Sequence, residues 1–264
     1  MNRSSLAFAT ALTLLAFTPI SAFAALDTAS AERLQKLQQS PASAGELIYR
    51  GDTFAQEGDA AQPLFRYERR VAAIKNGLSA SHLTRNPRGQ MVVIEVAQMG
   101  PDYALQRFDT VNQQSDFSGS VEVSADGRHL HYALLEQGQA SSADEQVDAP
   151  VVTGPSMHGF ILQHWDQLKA GEPLPVRFVV LQEMQTYGFD LRFEQENDGQ
   201  TVFSLTPSSF FIRLAIQPLR VTFDSAARTV VRYEGRVPPK QDVQGELQDL
   251  DARVEYTAVT PGYR

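Results

Sequence analysis

Turn dipeptides recur through this sequence at intervals too short for helices, and that spacing decides its fold class. Asn76-Gly77, Asn86-Pro87-Arg88-Gly89, Met99-Gly100-Pro101-Asp102, Asp126-Gly127 and Asn197-Asp198-Gly199 each stand between apolar or alternating runs. Asn, Asp and Gly tolerate the left-handed backbone that tight hairpin turns demand. Between the turns the side chains alternate with period two. Phe189, Leu191 and Phe193 share one face while Asp190, Arg192 and Glu194 share the other, and Thr201, Phe203, Leu205 and then Leu219, Val221, Phe223 repeat the pattern. The result is a meander of antiparallel hairpins, with strands predicted at 46–55, 64–75, 79–85, 90–98, 103–111, 119–124, 128–136, 174–182, 186–195, 200–206, 210–215, 218–223, 228–235 and 250–258. So many strands curl rather than stay flat. The expected fold is mainly β: one large, strongly curved antiparallel meander sheet, a half-barrel or open barrel, with an N-terminal helix and one apolar helix packed against the concave face.

The helices carry their own signals. After Thr28 or Ser30 as N-cap, Ala31, Leu34 and Leu37 recur at helical spacing until Pro41. A second helix opens at Ser156, gathers Phe160, Ile161, His164, Trp165 and Leu168 on one side, and ends at Ala170-Gly171 before Pro173. It contains the single Trp of the chain. Packed on the concave face, it serves as a plug or lid.

Arg3, the apolar run Leu6 to Phe17 and the small-x-small triplet Ala22-Phe23-Ala24 read as a cleaved secretory signal over residues 1–24. Residues 25–264 then form a single β-rich domain in the periplasm or outside the cell. The polar connection Gln137 to Pro155 is expected to be a surface loop, and it is where an internal boundary could fall. No later stretch is apolar enough to span a bilayer, so a soluble, monomeric protein is expected. The chain has no cysteine, which excludes disulfides, a lipid-modified N-terminus and thiolate chemistry. Its formal net charge of −8 disfavours nucleic acid or an anionic membrane as partner.

Chemistry is sparser. Phosphate-binding glycine motifs and a G-x-S-x-G elbow are both missing from the sequence. His129 and His131 share a strand face and are the weak candidates for a metal site, while no cofactor is expected. Glu183, Asp190 and Glu194 are close enough in sequence to be considered as an acid/base pair, although alternating carboxylates usually face solvent. Arg66, Arg70, Arg192, Arg213, Arg220, Arg228, Arg232 and Arg253 recur along the strands, mostly beside acidic residues that would pair with them. An arginine pointing inward would hold a lipid or glycan head group. The aromatic face offers two readings: an ordinary core, or a hydrophobic cavity lined by Phe160, Trp165, Phe189, Phe193 and Phe203 that binds lipid.

From Met157 to Thr257 a pattern emerges. Gly159-Phe160, His164-Trp165-Asp166-Gln167-Leu168 with Gly171-Glu172, Pro218 to Asp224, Arg228 to Tyr233 and Glu234-Gly235 resemble a family of uncharacterised bacterial envelope proteins, in which a G-F helix with W-D-x-L-x-x-G leads into a β-rich half ending in a Y-D…R-x-L…Y-x-G hairpin. Phe223 replaces the Tyr of that pattern, and Val237-Pro238-Pro239 replaces a segment that usually contains Asn. The resemblance implies an envelope location and brings no catalytic residues. The architecture is also similar to the periplasmic lipoprotein-carrier half-barrel, which implies a lipid cavity. The leading functional expectation is therefore a soluble periplasmic protein that binds or carries a lipid or other hydrophobic envelope molecule. A carboxylate-dependent hydrolase of envelope material and a structural or interaction protein are the alternatives.

Overall fold

A computed structural model describes residues 28–56, 62–209 and 217–260. The secretory signal read over residues 1–24 and the strand expected at 210–215 lie outside the described residues. Fifteen strands form one sheet: β1 (Glu46–Ala55), β2 (Phe65–Ile74), β3 (Gly77–Arg85), β4 (Met91–Met99), β5 (Leu105–Asn112), β6 (Phe117–Val123), β7 (His129–Glu136), β8 (Gln139–Gln146), β9 (Val151–Val152), β10 (Leu174–Val180), β11 (Gln185–Asn197), β12 (Gln200–Pro207), β13 (Leu219–Asp224), β14 (Val230–Val243) and β15 (Glu246–Ala258). Their order in space is β8-β7-β6-β5-β4-β3-β2-β1-β15-β14-β13-β12-β11-β10-β9. The first and last strands thus meet in the middle, where β1 pairs antiparallel with β15. Neighbours are antiparallel throughout except β9 and β10, which run parallel.

The sheet curls but does not close. No ladder joins β8 to β9 or β10, yet side chains cross the gap. The Glu145 carboxylate of β8 accepts hydrogen bonds from the Thr186 amide (2.9 Å) and hydroxyl (2.7 Å), from Arg177 (3.1 Å) and from the Tyr132 hydroxyl (2.7 Å). A short 3-10 turn, Leu181–Glu183, lies over the other lip and packs Leu181 onto Gly119, where a Cβ would stand 2.0 Å from the leucine methyl. Side chains from both arms consequently pack together on the concave side. Val71, Tyr132, Leu191, Phe203 and Phe223, from strands far apart in the sheet, belong to one buried cluster.

Helix α1 (Thr28–Gln38) sits on the convex face, where Leu34 and Leu37 cover Leu83, Ile94, Val96 and Val111. Alternate residues of β4 face the other way, so Ala97 and Met99 point into the concave cluster with helices α2 (Gly154–Gln163) and α3 (Trp165–Lys169). Where one apolar helix was expected there are two, broken at His164, whose backbone leaves the helical region at φ −101° and ψ 15°. The first begins earlier than Ser156. Thr153 is its N-cap, and the Ser156 hydroxyl reaches back to accept from the Thr153 amide at 2.8 Å.

The stretch 137–155, expected as a loop, contains β8 and β9. Its hairpin turns on Gln137-Gly138, both at positive φ (49° and 77°), and the β14–β15 hairpin turns likewise on Gln244-Gly245 (57° and 90°). Both are the paired left-handed residues of a type I′ turn, supplied by Gln instead of Asn or Asp. That substitution hides β8, and it hides the extension of β14 and β15 beyond the predicted 228–235 and 250–258.

Candidate functional site

Strand β2 decides what enters the concave side. Its period-two pattern turns Phe65, Tyr67, Arg69 and Val71 inward and Arg66, Glu68 and Arg70 outward, where Arg70 bonds Glu68 and the Gly45 carbonyl. Arg69 is paired across the ladder with His82 of β3, which is paired with Glu95 of β4. Three ionisable side chains therefore stand in a row on adjacent strands, inside the curl. Arg69 is only 5% exposed, while His82 and Glu95 keep about 12% and 14% of their side chains accessible.

Hydrogen bonds fix their protonation. The Arg69 Nη1 donates to His82 Nε2 at 2.9 Å and to the Pro155 carbonyl at 2.8 Å. Because His82 Nε2 accepts, its proton resides on Nδ1, which faces Glu95 Oε2 at 3.7 Å. Burial, reinforced by the Arg69 charge, pushes His82 well below the usual histidine range, so it is neutral. Burial raises the Glu95 carboxyl to about 7.

Tyrosines border the row. Tyr67 of β2 and Tyr256 of β15 meet edge to face at 5.3 Å although β1 runs between their strands. Gly51 makes this possible: a Cβ there would lie 2.9 Å from Tyr256 Cδ1 and 3.0 Å from Val254 Cγ1. Desolvation raises both phenols, so they are protonated. On the other flank, the Tyr49 hydroxyl lies 3.0 Å from His158 Nε2 of α2 and accepts the Val230 amide at 3.4 Å. His158 is neutral, because burial lowers its pKa well below the usual value.

Several of these groups lack a protein partner among the described residues. Arg69 Nε is sealed from solvent without an acceptor. The Glu95 carboxyl and the hydroxyls of Tyr67 and Tyr256 make no hydrogen bond among the described residues, and the Glu95 ion-pair contact is His82 Nδ1 at 3.7 Å. Of these atoms Arg69 Nε is the one that is fully sealed, the tyrosines and Glu95 being half-buried, and a sealed donor without an acceptor is rare in a native protein. Next to it stands the start of α2: a Cβ at Gly154 would lie 3.6 Å from His82 and 3.9 Å from Glu95, in ordinary contact with both. The row lies between two apolar clusters, the large one under α2 and α3 and a smaller one of Phe65, Val92, Val93, Leu250 and Ala252.

The residues singled out from sequence lie elsewhere. Phe160, Trp165, Phe189 and Phe203 are buried in the large cluster, and Phe193 is half-buried against it. Trp165 meets Phe203 at 4.9 Å and Phe223 at 5.3 Å, edge to face, and Phe193 meets Phe203 at 6.2 Å. These five side chains are brought together, packed on one another and apart from the polar row. His129 and His131 are exposed and face Asp126 (3.4 Å) and Asp144 (2.8 Å) respectively. No group of three metal-ligating side chains occurs among the described residues. The carboxylates of Asp190 and Glu194 pair with Arg192 and Arg220, and that of Glu183 with Tyr187 and Gln185.

Two grooves mark the convex face, of about 520 and 760 Å³, both under or beside α1 and away from the interior row. The larger is lined by Arg33, Lys36, Arg107 and Asp109 among others. Arg107 is engaged by Asp109 and Glu122, and Arg33 by Ser118.

A scan against protein-family models finds no match, and a search of curated proteins finds none either. Among solved structures the chain is similar to a porin-like protein from Bacteroides uniformis, at 9% identity over 83% of this chain and 99% of that one, with a TM-score of 0.23. No helix among the described residues is long and apolar enough to cross a membrane.

Proposed function

We propose that this is a protein of the bacterial cell envelope that holds an amphipathic molecule in the curl of its sheet, with the polar part of that molecule at the Arg69–His82–Glu95 row. The observation that carries the reading is the row itself: a buried arginine without a carboxylate partner and with its Nε unsatisfied, beside phenols that make no hydrogen bond, on the concave side between two apolar clusters. Apolar walls with a few convergent polar groups are the usual make-up of a ligand site. The amino-acid pattern that reads as a secretory signal supports the envelope location.

Native mass spectrometry of protein purified from the periplasm tests this reading. Gently handled protein is expected to carry a small-molecule adduct that denaturation releases. Adduct-free protein that also fails to bind any amphipathic probe would overturn it. A second reading, acid/base hydrolysis, draws on the Glu95 carboxyl, whose pKa near 7 suits a general acid. Burial alone raises it, with no neighbouring carboxylate contributing, so the pair that glycoside hydrolysis needs is not assembled around it.

A further inference from the structure

We infer that the row is an anion site: Arg69 receives a carboxylate or phosphate group of the ligand, and the hydroxyls of Tyr67 and Tyr256 complete its coordination. The inference rests on the reading above, and it adds the chemical class of the head group.

Among the described arginines Arg69 is set apart by its burial. Arg107, Arg177, Arg232 and Arg236 all face carboxylates. Arg69 is more deeply buried than any of them, yet among the described residues no carboxylate lies within salt-bridge distance of it. A buried cation without a counter-charge is strongly unfavourable, and its neighbours do not neutralise it. His82 and Pro155 each accept one hydrogen bond from Nη1, which leaves Nε–H sealed away with nothing to donate to.

The rest of the row adds donors. His82 turns Nδ1–H toward Glu95, the two phenols are protonated, and a protonated Glu95 offers a further O–H. The guanidinium presents a directional fork suited to carboxylate and phosphate oxygens. One fixed positive charge amid neutral donors is complementary to one anionic group. Ionised Glu95 would oppose it. Glu95 faces His82 on β3, Tyr67 on β2, Tyr256 on β15 and Tyr233 on β14, and Arg69 in turn acts on His82, on Tyr49 of β1 and on His158 of α2; apart from Glu95, Arg69 alone among them is charged at neutral pH.

Isothermal titration of the signal-free protein with dodecanoate, dodecyl phosphate, dodecanol, acetate and inorganic phosphate tests the assignment. The two long-chain anions are expected to bind about tenfold to a hundredfold more tightly than dodecanol, the range a charged hydrogen bond supplies. Arg69→Gln removes that margin while dodecanol binding persists, which certifies the fold of the variant. Glu95→Gln strengthens binding of the anions at pH 8, a gain that misfolding cannot produce. Dodecanol binding the wild type as tightly as dodecanoate would overturn the anion site and leave the carrier reading standing. Acetate or phosphate binding as well as the long-chain anions would uphold the anion site and overturn the carrier reading. Binding of no probe would overturn both.

Discussion

Glu95→Gln isolates one electrostatic quantity in the candidate site. The folded protein holds the Glu95 proton up to about pH 7, against 4.5 for an unperturbed glutamate. Between these values the folded state binds a proton that the unfolded state has released, so stability falls as pH rises through the window. The full displacement amounts to about 3 kcal/mol. His82 and His158 act in the opposite sense: their folded pKa values lie below 6.5, so stability falls as pH drops beneath 6.5 and the unfolded chain takes up protons. Wild-type stability should therefore peak near pH 6.5. In the difference between variant and wild type the histidine contributions cancel. Glutamine has nearly the same shape as the protonated acid and cannot ionise, so the variant should match the wild type at pH 4.5 and be more stable by about 3 kcal/mol at pH 8. Urea unfolding of both proteins across that range measures the difference directly. A difference that stays constant with pH would refute the placement of Glu95 in a desolvated interior.

Other substitutions probe the frame around the site. Trp165→Ala removes a nearly buried indole from contact with Phe203 and Phe223, and should cost about 3 to 5 kcal/mol, seen as a fall in melting temperature on the order of 10 °C. Unchanged melting would place α3 off the sheet. Gly51→Ala brings a methyl against Tyr256 and Val254 and should cost about 1 to 3 kcal/mol while altering the near-ultraviolet tyrosine signal; a silent substitution would contradict the meeting of Tyr67 and Tyr256 over β1. Glu145→Ala removes the acceptor that ties the two lips of the curl, and should cost about 2 to 4 kcal/mol with faster amide exchange concentrated in β8 and β10. Uniformly unchanged exchange would mean that the lips are held by something else.

The meander was legible because its turns mostly use Asn, Asp and Gly, and because aromatic alternation in β11 to β13 fixes which face is buried. Where Gln replaced Asn in the turns, as at Gln137-Gly138 and Gln244-Gly245, the hairpins were hidden. The candidate site was harder to read for a different reason. Its members come from β2, β3, β4, β15 and α2, and only the ladder register brings Arg69, His82 and Glu95 side by side. One signal was present locally: Phe65, Tyr67, Arg69 and Val71 alternate on one face, so an arginine shares the apolar side of β2. The arginines named from the sequence on this strand, Arg66 and Arg70, face outward. The aromatic residues chosen as a cavity were chosen by apolarity, the property that also makes them pack against one another.

The account stands on the claim that the Arg69 row receives the head group of a bound molecule. A crystal structure of the dodecanoate complex tests it most directly. The account predicts the carboxylate within hydrogen-bond distance of Arg69 Nε and of a Tyr67 or Tyr256 hydroxyl, with the alkyl chain against the neighbouring apolar residues. A carboxylate turned to solvent, or a ligand lodged in the groove beneath α1 with Arg69 untouched, would contradict it.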